Sequence, residues 1–185
     1  GSFLTRTYLI KHPDEYDAVI LSGTGHQSPA LVLGGNAAAS VMAKLNGAMG
    51  DGAKLDLLAF GTYLSKIENP RTKFDWLSRD AEQVDKYIAD PLCGFVGKIG
   101  LYRDMMQGIK FITNEKNIAQ MNKEKPVYFM SGDGDPVGDY GKGVERAYKA
   151  FCDAGLHDVF MRLYPGGRHE MLNETNKEQV YQDIL

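Results

Sequence analysis

The chain has 185 residues, enough to bury one hydrophobic core, so we expect a single domain. Its 43% hydrophobic and 24% charged residues are ordinary for a globular protein. The 21 basic and 24 acidic residues are interspersed and give a net charge of −3. This balance argues against a surface for nucleic acid or anionic membranes, which would need a basic patch.

Apolar runs and cysteines set further limits. No run reaches the roughly 18 residues of a membrane-spanning helix, because Gly34, Gly35 and Asn36 interrupt the best candidate. The first residues lack the basic-then-apolar layout of a signal peptide. Cys93 and Cys152 stand far apart without metal-binding spacing. We therefore expect reduced core thiols in a cytoplasmic protein, with one disulfide as the alternative.

The first predicted element is a short helix over Phe3–Pro13, where apolar residues recur at helical spacing before a proline. Three apolar runs that end in glycine-rich loops predict strands buried on both faces, at Tyr16–Gly25, Lys125–Asp135 and His157–Gly167. An amphipathic helix is predicted between the last two strands, over Tyr140–Gly155. Strand, helix and strand in this order imply a right-handed parallel crossover, and hence an α/β fold. The ending "NKEQVYQDIL" predicts a final helix.

The long middle segment, residues 28–122, has several apolar patterns of helical period and little strand character. We expect it to form a helical cap over the strand ends, inserted into an α/β core made by residues 1–27 and 123–185. Its methionine and aromatic side chains suit an adaptable apolar lining, and simple packing against the sheet is an equal alternative for each of them. They are Met42, Met49, Phe60, Tyr63, Met105, Met106 and Phe111.

Each predicted strand ends in a glycine-rich loop, at the edge where parallel sheets bind ligands. "GTGHQS" imitates a dinucleotide loop, but Ser28 replaces the third glycine and no acidic residue follows about 20 positions later. "DGDPVGDYGKGV" imitates a calcium loop, but Val137 and Val144 occupy positions that need oxygen ligands. Its aspartates would also repel a phosphate. We expect neither cofactor nor metal, because the histidines too lack ligand spacing: His12, His26, His157 and His169.

An acid and a histidine remain as candidate catalytic residues. Asp135 follows "VYFMSG" and His169 follows "VFMRLYPGG", so each lies just after one of two consecutive strands. An acid that orients an imidazole is two thirds of a nucleophile–His–acid triad, and this chain order is that of the α/β-hydrolases. Taken alone, Asp135 is more often a turn residue, and His169 is as often a loop-packing residue. Their joint position favours catalysis.

These loops carry a resemblance to a known family. "PVYFMSGDGDPVGDYGKGV" and "YPGGRHEMLNE" resemble the monoacylglycerol lipase and lysophospholipase group of α/β-hydrolases, which is also classed with serine aminopeptidases. "FDWLSRD…VDKYIADPLCGF", Phe74–Phe95, is similar to the cap segment of that group, and "YDAVILSGTG" to its strand after the nucleophile helix. The resemblance covers essentially the whole chain. It implies the C-terminal portion of an α/β-hydrolase fold with a helical cap, Asp135 as triad acid, His169 as general base, and cofactor-free hydrolysis of lipid-like esters.

The chain departs from this family at the nucleophile, because none of its serines is flanked by the glycines of a Gly-x-Ser-x-Gly elbow. In the family that elbow leads into a helix similar to "SFLTRTYLI". Gly1 therefore resembles the last elbow glycine, which places the nucleophile two residues before the chain; Gly1–Ser2 as a cloning remnant is the alternative. We expect a missing N-terminal half to carry the elbow and the oxyanion amides, and the chain alone to be inactive.

Three functions follow from these observations. The first is a serine esterase or lipase of the lysophospholipase type, whose exposed sheet edge pairs with the missing half or with another copy of the chain. The second is a non-catalytic binding or assembly domain, and the third is an aminopeptidase, which acidic groups in the cap would favour. Around the candidate base, we expect Arg168 to anchor its loop or cap a helix end, and Glu170 and Asn173 to start a helix.

Overall fold

The computed structural model describes all residues, 1–185. It centres on a parallel sheet of three strands, β1 (Val19–Ser22), β2 (Val127–Gly132) and β3 (Val159–Tyr164), in the order β1–β2–β3. Val127 in β2 aligns with Val19 in β1 on one side and with Val159 in β3 on the other. The parallel α/β architecture predicted from the sequence is therefore present.

Eight α-helices and one 3-10 helix accompany the sheet. The helices predicted at the start of the chain, between β2 and β3, and at the end of the chain correspond to α1, α7 and α8. None of the helices combines the length and apolar character needed to span a bilayer. Their bounds are α1 (Ser2–Lys11), α2 (Pro29–Asn46), α3 (Ala53–Phe60), α4 (Ala81–Ala89), α5 (Ile99–Ile112), α6 (Glu115–Ile118), α7 (Lys142–Asp153) and α8 (Lys177–Ile184), with the 3-10 helix at Met171–Asn173.

The main hydrophobic core lies on one face of the sheet, where helices α1 and α7 pack against the strands. Val144, Ala147 and Phe151 recur at helical spacing and are fully buried, which gives α7 one apolar face against the sheet. The rings of Phe151 and Phe129 meet edge to face, with centroids 5.1 Å apart. Burial of a valine or phenylalanine side chain of this kind stabilises the fold by about 1.5–3 kcal/mol.

The outer strands differ from the prediction of strands buried on both faces. Strand β2 is almost wholly buried, whereas Ile20 in β1 is 43% exposed and Phe160 in β3 is 60% exposed. The prediction is therefore wrong for β1 and β3. The physical reason is the face on which these side chains lie, because Ile20 and Phe160 align with Tyr128 in one row across the sheet. Side chains alternate between the two faces of a strand, so this row is opposite Phe129 and the main core.

Residues 28–122 contribute five helices and no strand to the sheet, as the sequence predicts. Part of this segment has its own small core, formed by Ala39, Leu55, Ile99 and Tyr102. Its C-terminal end packs differently, because side chains of α5, α6 and the following loop join the main core of the sheet: Ile112, Ile118 and Met121. We propose that the segment is the cap, with this C-terminal end anchoring it to the core.

Both cysteines are free, but neither belongs to the core. Cys152 is exposed on α7, next to the buried Phe151, and Cys93 is half-buried in the loop after α4. The prediction of core thiols is wrong because the inward face of α7 is already occupied by its valine, alanine and phenylalanine side chains.

Candidate active site

Asp135 and His169 meet at the carboxyl end of the sheet. Asp135 lies three residues beyond β2 and His169 five residues beyond β3. The imidazole Nδ1 donates a hydrogen bond to Oδ2 of Asp135 at 3.0 Å. This contact is the one expected from the positions of the two residues after neighbouring parallel strands.

The surroundings of Asp135 hold its carboxylate in one orientation. The side chain is fully buried, and the backbone N–H of Val137 donates to Oδ1 at 2.9 Å. The carboxylate can therefore keep the proton of His169 on Nδ1, which leaves Nε2 as the basic nitrogen. The His169 side chain is 28% exposed, and Nε2 makes no hydrogen bond within the chain. The arrangement suits an imidazole that takes up and releases a proton at Nε2.

Close backbone contact joins the loop of Asp135 to the loop of His169. The N–H of Gly134 donates to the carbonyl of Gly167 at 2.8 Å, and the N–H of Gly166 donates to Oδ1 of Asp133 at 2.6 Å. A Cβ atom on Gly132 would lie only 1.8 Å from the carbonyl oxygen of Gly167. Glycine at position 132, the last residue of β2, is therefore required for the approach that brings acid and imidazole together.

The loop after β1 reaches the same site. Gly23 adopts a φ of +59°, and a Cβ atom there would lie 2.8 Å from Nδ1 of His169. The N–H of Gly23 donates to the carbonyl of Met130 at 3.0 Å, which fixes this loop beside β2. All three glycine-rich loops therefore share one end of the sheet, as predicted.

A fourth segment, which belongs to residues 28–122 and contains Trp76, covers the histidine loop. The indole of Trp76 packs against the imidazole of His169, with ring centroids 5.3 Å apart and planes tilted by 49°. The backbones run together here, because the N–H of His169 donates to the carbonyl of Trp76 at 3.4 Å and the N–H of Glu170 donates to that of Leu77 at 2.8 Å. The loop that carries the imidazole is thus joined to a segment of the proposed cap.

Arg168 and Glu174 reinforce this junction. Nη1 of Arg168 donates to the carbonyls of Asp75 and Ser78, at 2.6 and 3.1 Å, so Arg168 anchors its loop as expected. Glu174 is fully buried, and its carboxylate accepts from the backbone N–H and Nε of Arg79, both at 2.9 Å, and from the N–H of Arg168 at 3.0 Å. Hydrogen bonds to a buried carboxylate are stronger than those between neutral groups, so the junction is firmly held.

The sequence did not predict most of the contacts that surround the Asp135–His169 pair. Glu170 precedes the 3-10 helix at its N-cap, as expected of a helix-start residue, whereas Asn173 is the last residue of that helix, so its prediction is wrong. Nothing in the spacing singled out Gly23, Trp76 or Glu174. The available signal was the "SGTG" loop after β1, since a glycine at a strand end often marks a close approach.

An apolar cavity of about 1020 Å³ lies next to the Trp76 indole. Seventeen of its 26 lining residues are hydrophobic, so it suits a hydrocarbon chain better than a polar ligand. It extends from the N-terminal end of α1, at Gly1 and Phe3, to Phe60 and Trp76. The cavity therefore reaches the immediate neighbourhood of the imidazole without being lined by it.

Two acidic residues also line this cavity, and each has a partner. Oδ1 of Asp56 accepts from the hydroxyl of Tyr102 at 2.7 Å, and Oδ1 of Asp104 pairs with Nε of Arg103 at 2.8 Å. Burial, followed by the hydrogen bond to Asp56, raises the pKa of Tyr102 to about 12. The acidic groups of the cavity are thus engaged with neighbouring side chains.

Burial shifts the pKa values of two other side chains near the site away from neutral pH. It raises the pKa of Tyr63 to about 12, with smaller contributions from Asp135 and Tyr140. It also lowers the pKa of His26 to about 4, with added repulsion from Arg6 and Arg146. Tyr63 therefore stays protonated and His26 stays neutral.

No group of three or more His, Cys, Asp or Glu side chains is arranged to hold a metal ion.

Comparison with known proteins adds independent information. The family model described as serine aminopeptidase, S33, matches residues 1–176. The monoacylglycerol lipase of Mycolicibacterium smegmatis is 28% identical over 198 aligned residues, which cover 100% of this chain and 57% of that protein.

Two solved structures share the fold over the full length of the chain. A highly thermostable carboxyl esterase from Bacillus coagulans, solved in complex with glycerol, superposes with a TM-score of 0.89 at 29% identity. The monoacylglycerol lipase of Paleococcus ferrophilus superposes with a TM-score of 0.68 at 18% identity, a likeness of fold. The chain covers 60% of the first structure and 63% of the second, so it spans less than two thirds of these proteins.

Proposed function

The chain belongs to the serine aminopeptidase S33 family of α/β-hydrolases, and from that premise we propose that it carries the acid and base of a serine hydrolase that cleaves lipid-like carboxylic esters. The observation that carries the proposal is the 3.0 Å hydrogen bond between Asp135 and His169, beside an apolar cavity of about 1020 Å³. An oriented imidazole with a free Nε2 is the arrangement that activates a serine nucleophile.

The nucleophile in this proposal is a serine from a segment that precedes Gly1. Nε2 of His169 takes the hydroxyl proton as the serine oxygen attacks the ester carbonyl, and Asp135 stabilises the imidazolium that forms. The imidazolium then gives this proton to the departing alcohol, which leaves an acyl-enzyme. Water repeats the sequence and releases the carboxylic acid. The amides that stabilise the oxyanion would also come from the preceding segment.

The shape and chemistry of the cavity support a substrate with an acyl chain. Its walls are mainly apolar, and one end lies at Trp76, which packs on the proposed base. A relative over the full length of the chain is named monoacylglycerol lipase. We therefore assign the substrate class as monoacylglycerols or lysophospholipids, with the acyl chain held in the cavity under the cap of residues 28–122.

A peptidase that cleaves N-terminal residues is the second candidate, and the family description favours it. Such an enzyme needs a carboxylate that is free to bind the ammonium group of the substrate. Asp56 and Asp104 are the acidic residues of the cavity, and Tyr102 and Arg103 already engage them. This pairing favours ester hydrolysis over peptide hydrolysis.

A non-catalytic domain is the third candidate, in which the fold persists as a binding or assembly module. The outer edge of β1 has no partner strand within the chain.

We propose that the preceding segment, or another copy of the chain, pairs with this edge, because open strand edges promote association. In this proposal the chain alone hydrolyses no ester.

The test uses the gene product that joins this chain to its preceding segment, after its sequence has been read for a Gly-x-Ser-x-Gly elbow. Turnover is measured on a monoacylglycerol, a lysophospholipid, a p-nitrophenyl ester and an aminoacyl anilide. The matched variants are His169→Ala and His157→Ala, since His157 is exposed and pairs only with Glu124. We expect ester hydrolysis that falls by about 10⁴-fold or more in His169→Ala and not in His157→Ala. Preferred cleavage of the anilide would support the peptidase, and an elbow-free gene product without turnover would support the binding domain.

A further inference from the structure

Three aromatic rings cluster between the apolar cavity and the Asp135–His169 pair, and two of them line the cavity. The ring of Tyr63 meets that of Trp76 edge on at 5.0 Å, and the ring of Phe60 stacks at 6.3 Å from Trp76. Phe60 and Trp76 line the cavity, and Trp76 alone among the three packs on His169, at 5.3 Å. The indole therefore has one neighbour in the cavity wall and another in the proposed catalytic pair.

The backbone of Trp76 is fixed relative to the histidine loop. Its carbonyl accepts from the N–H of His169, and Arg168 donates to the carbonyls of Asp75, just before Trp76, and of Ser78, two residues after it. The fully buried Glu174 binds the N–H of Arg168 and the side chain of Arg79. Because the backbone on both sides of the contact is held, a movement of the indole must occur as a side-chain rotation rather than as a shift of the loop.

The imidazole cannot move away from such a rotation as a whole, because two contacts hold its Nδ1 side, so it can respond only by tilting. Gly23 lies against it so closely that a Cβ atom there would be 2.8 Å from Nδ1. Asp135 holds Nδ1 by a hydrogen bond of 3.0 Å. A push from the indole therefore changes the angle of the ring, and with it the direction of Nε2.

We propose that Trp76 is a positioning residue that couples the filling of the apolar cavity to the orientation of the His169 imidazole. An alkyl chain in the cavity packs against Phe60 and the cavity side of the indole and selects one indole rotamer. That rotamer sets the ring of His169. The inference rests on the proposed function, in which His169 is the base. It explains how the acyl chain of a substrate would increase the rate of the chemical step as well as the binding affinity.

The chain offers a direct readout, because Trp76 is its single tryptophan. We would label the histidines of the 185-residue chain with ¹³C and ¹⁵N and titrate 1-decanol as an uncharged alkyl probe. Binding is followed by calorimetry and by the emission of Trp76. The ring resonances of His169 report its orientation, and those of His12 and His157, two exposed histidines, serve as internal controls.

The expected result is a blue shift of the Trp76 emission together with a displacement of the His169 ring resonances, while those of His12 and His157 stay in place. In Trp76→Leu, decanol should still bind while the His169 resonances no longer respond. Trp76→Phe should restore part of the response, since it keeps an aromatic ring on the imidazole. Phe95 also lines the cavity but makes no ring contact with Trp76 or His169, so Phe95→Leu should keep the response.

Three outcomes would overturn the proposal. They are an equal displacement of His169 in Trp76→Leu, a silent His169 in the unaltered chain while calorimetry shows binding, and no binding of decanol at all. If Trp76→Leu does not fold, the pair Trp76→Phe and Phe95→Leu decides. A full response in Phe95→Leu with a reduced response in Trp76→Phe still assigns the coupling to residue 76, whereas equal responses in the two variants contradict it. None of these readouts depends on ester hydrolysis, so a failure here is distinct from a failure of the proposed function.

Discussion

Gly23 and His169 are neighbours in space although they follow different strands and are far apart in sequence. A Cβ atom at Gly23 would lie 2.8 Å from Nδ1 and 2.9 Å from Cε1 of the imidazole, and the φ of Gly23 is +59°. The side chain of any other residue would therefore have to displace the ring that Asp135 holds. Glycine at this position is part of the geometry of the site.

We predict that Gly23→Ala damages both stability and catalysis. The left-handed backbone costs an alanine about 1–2 kcal/mol, and the added methyl group pushes His169 away from Asp135. In the catalytic gene product, kcat/KM should fall by about 10²-fold or more, because misplacing a catalytic group by one ångström has this effect.

The matched control for this variant is Gly155→Ala. Gly155 has a φ of +86° and no atoms near the position of an added Cβ. It should lose about the same 1–2 kcal/mol of unfolding free energy in urea while kcat/KM stays unchanged. Equal kinetic losses in the two variants would show that strain, and not the contact with His169, is responsible.

Gly132→Ala tests the close approach of the acid and histidine loops. The new methyl group would meet the carbonyl oxygen of Gly167 at 1.8 Å, so the two loops must separate. We predict a loss of about 3 kcal/mol in unfolding free energy, at the upper end for overpacking. In contrast, Gly34→Ala lies in an open position on α2 and should stabilise the chain by about 0.5–1 kcal/mol. Urea denaturation measures both, and a neutral Gly132→Ala would contradict the described loop contact.

His26 makes the stability of the fold depend on pH. Burial lowers its pKa in the folded chain from 6.5 to about 4. Between these values the unfolded chain binds a proton that the folded chain does not, so the free energy of unfolding decreases as the pH falls through this range. We predict a smaller decrease in His26→Gln than in the unaltered chain when urea denaturation at pH 7 is compared with pH 5. An identical decrease in both proteins would mean that His26 is not buried as described.

The Asp135–His169 contact could be predicted because it depends only on topology. Both residues follow strands that the sequence marks clearly, and the carboxyl ends of parallel strands meet at one edge. The contact between Trp76 and His169 could not be predicted in the same way. It depends on how a helical segment of about ninety residues folds back over the sheet, and no local pattern encodes that path.

Burial was the other quantity that local patterns did not determine. Ile20 and Phe160 belong to apolar runs, yet they are exposed because they lie on the face of the sheet opposite the main core. Arg6 shows the reverse, since a charged residue on a short helix is fully buried. Its guanidinium donates to the carbonyls of Gly25 and Ile112, at 2.6 and 3.2 Å, and burial lowers its pKa to about 10. Those carbonyls come from distant parts of the chain, so only the folded structure reveals the need for the arginine.

The central claim is that Asp135 and His169 act together as the acid and base of one catalytic unit. The most direct test is a double-mutant cycle on kcat/KM for a monoacylglycerol, with the gene product that contains this chain and its preceding segment, using Asp135→Asn, His169→Gln and the pair of changes combined. Groups that act as a unit are not additive, so each single change should cost roughly 10⁴-fold or more and the combined change about as much as the worse single one. Losses that multiply, or turnover that survives His169→Gln, would contradict the account.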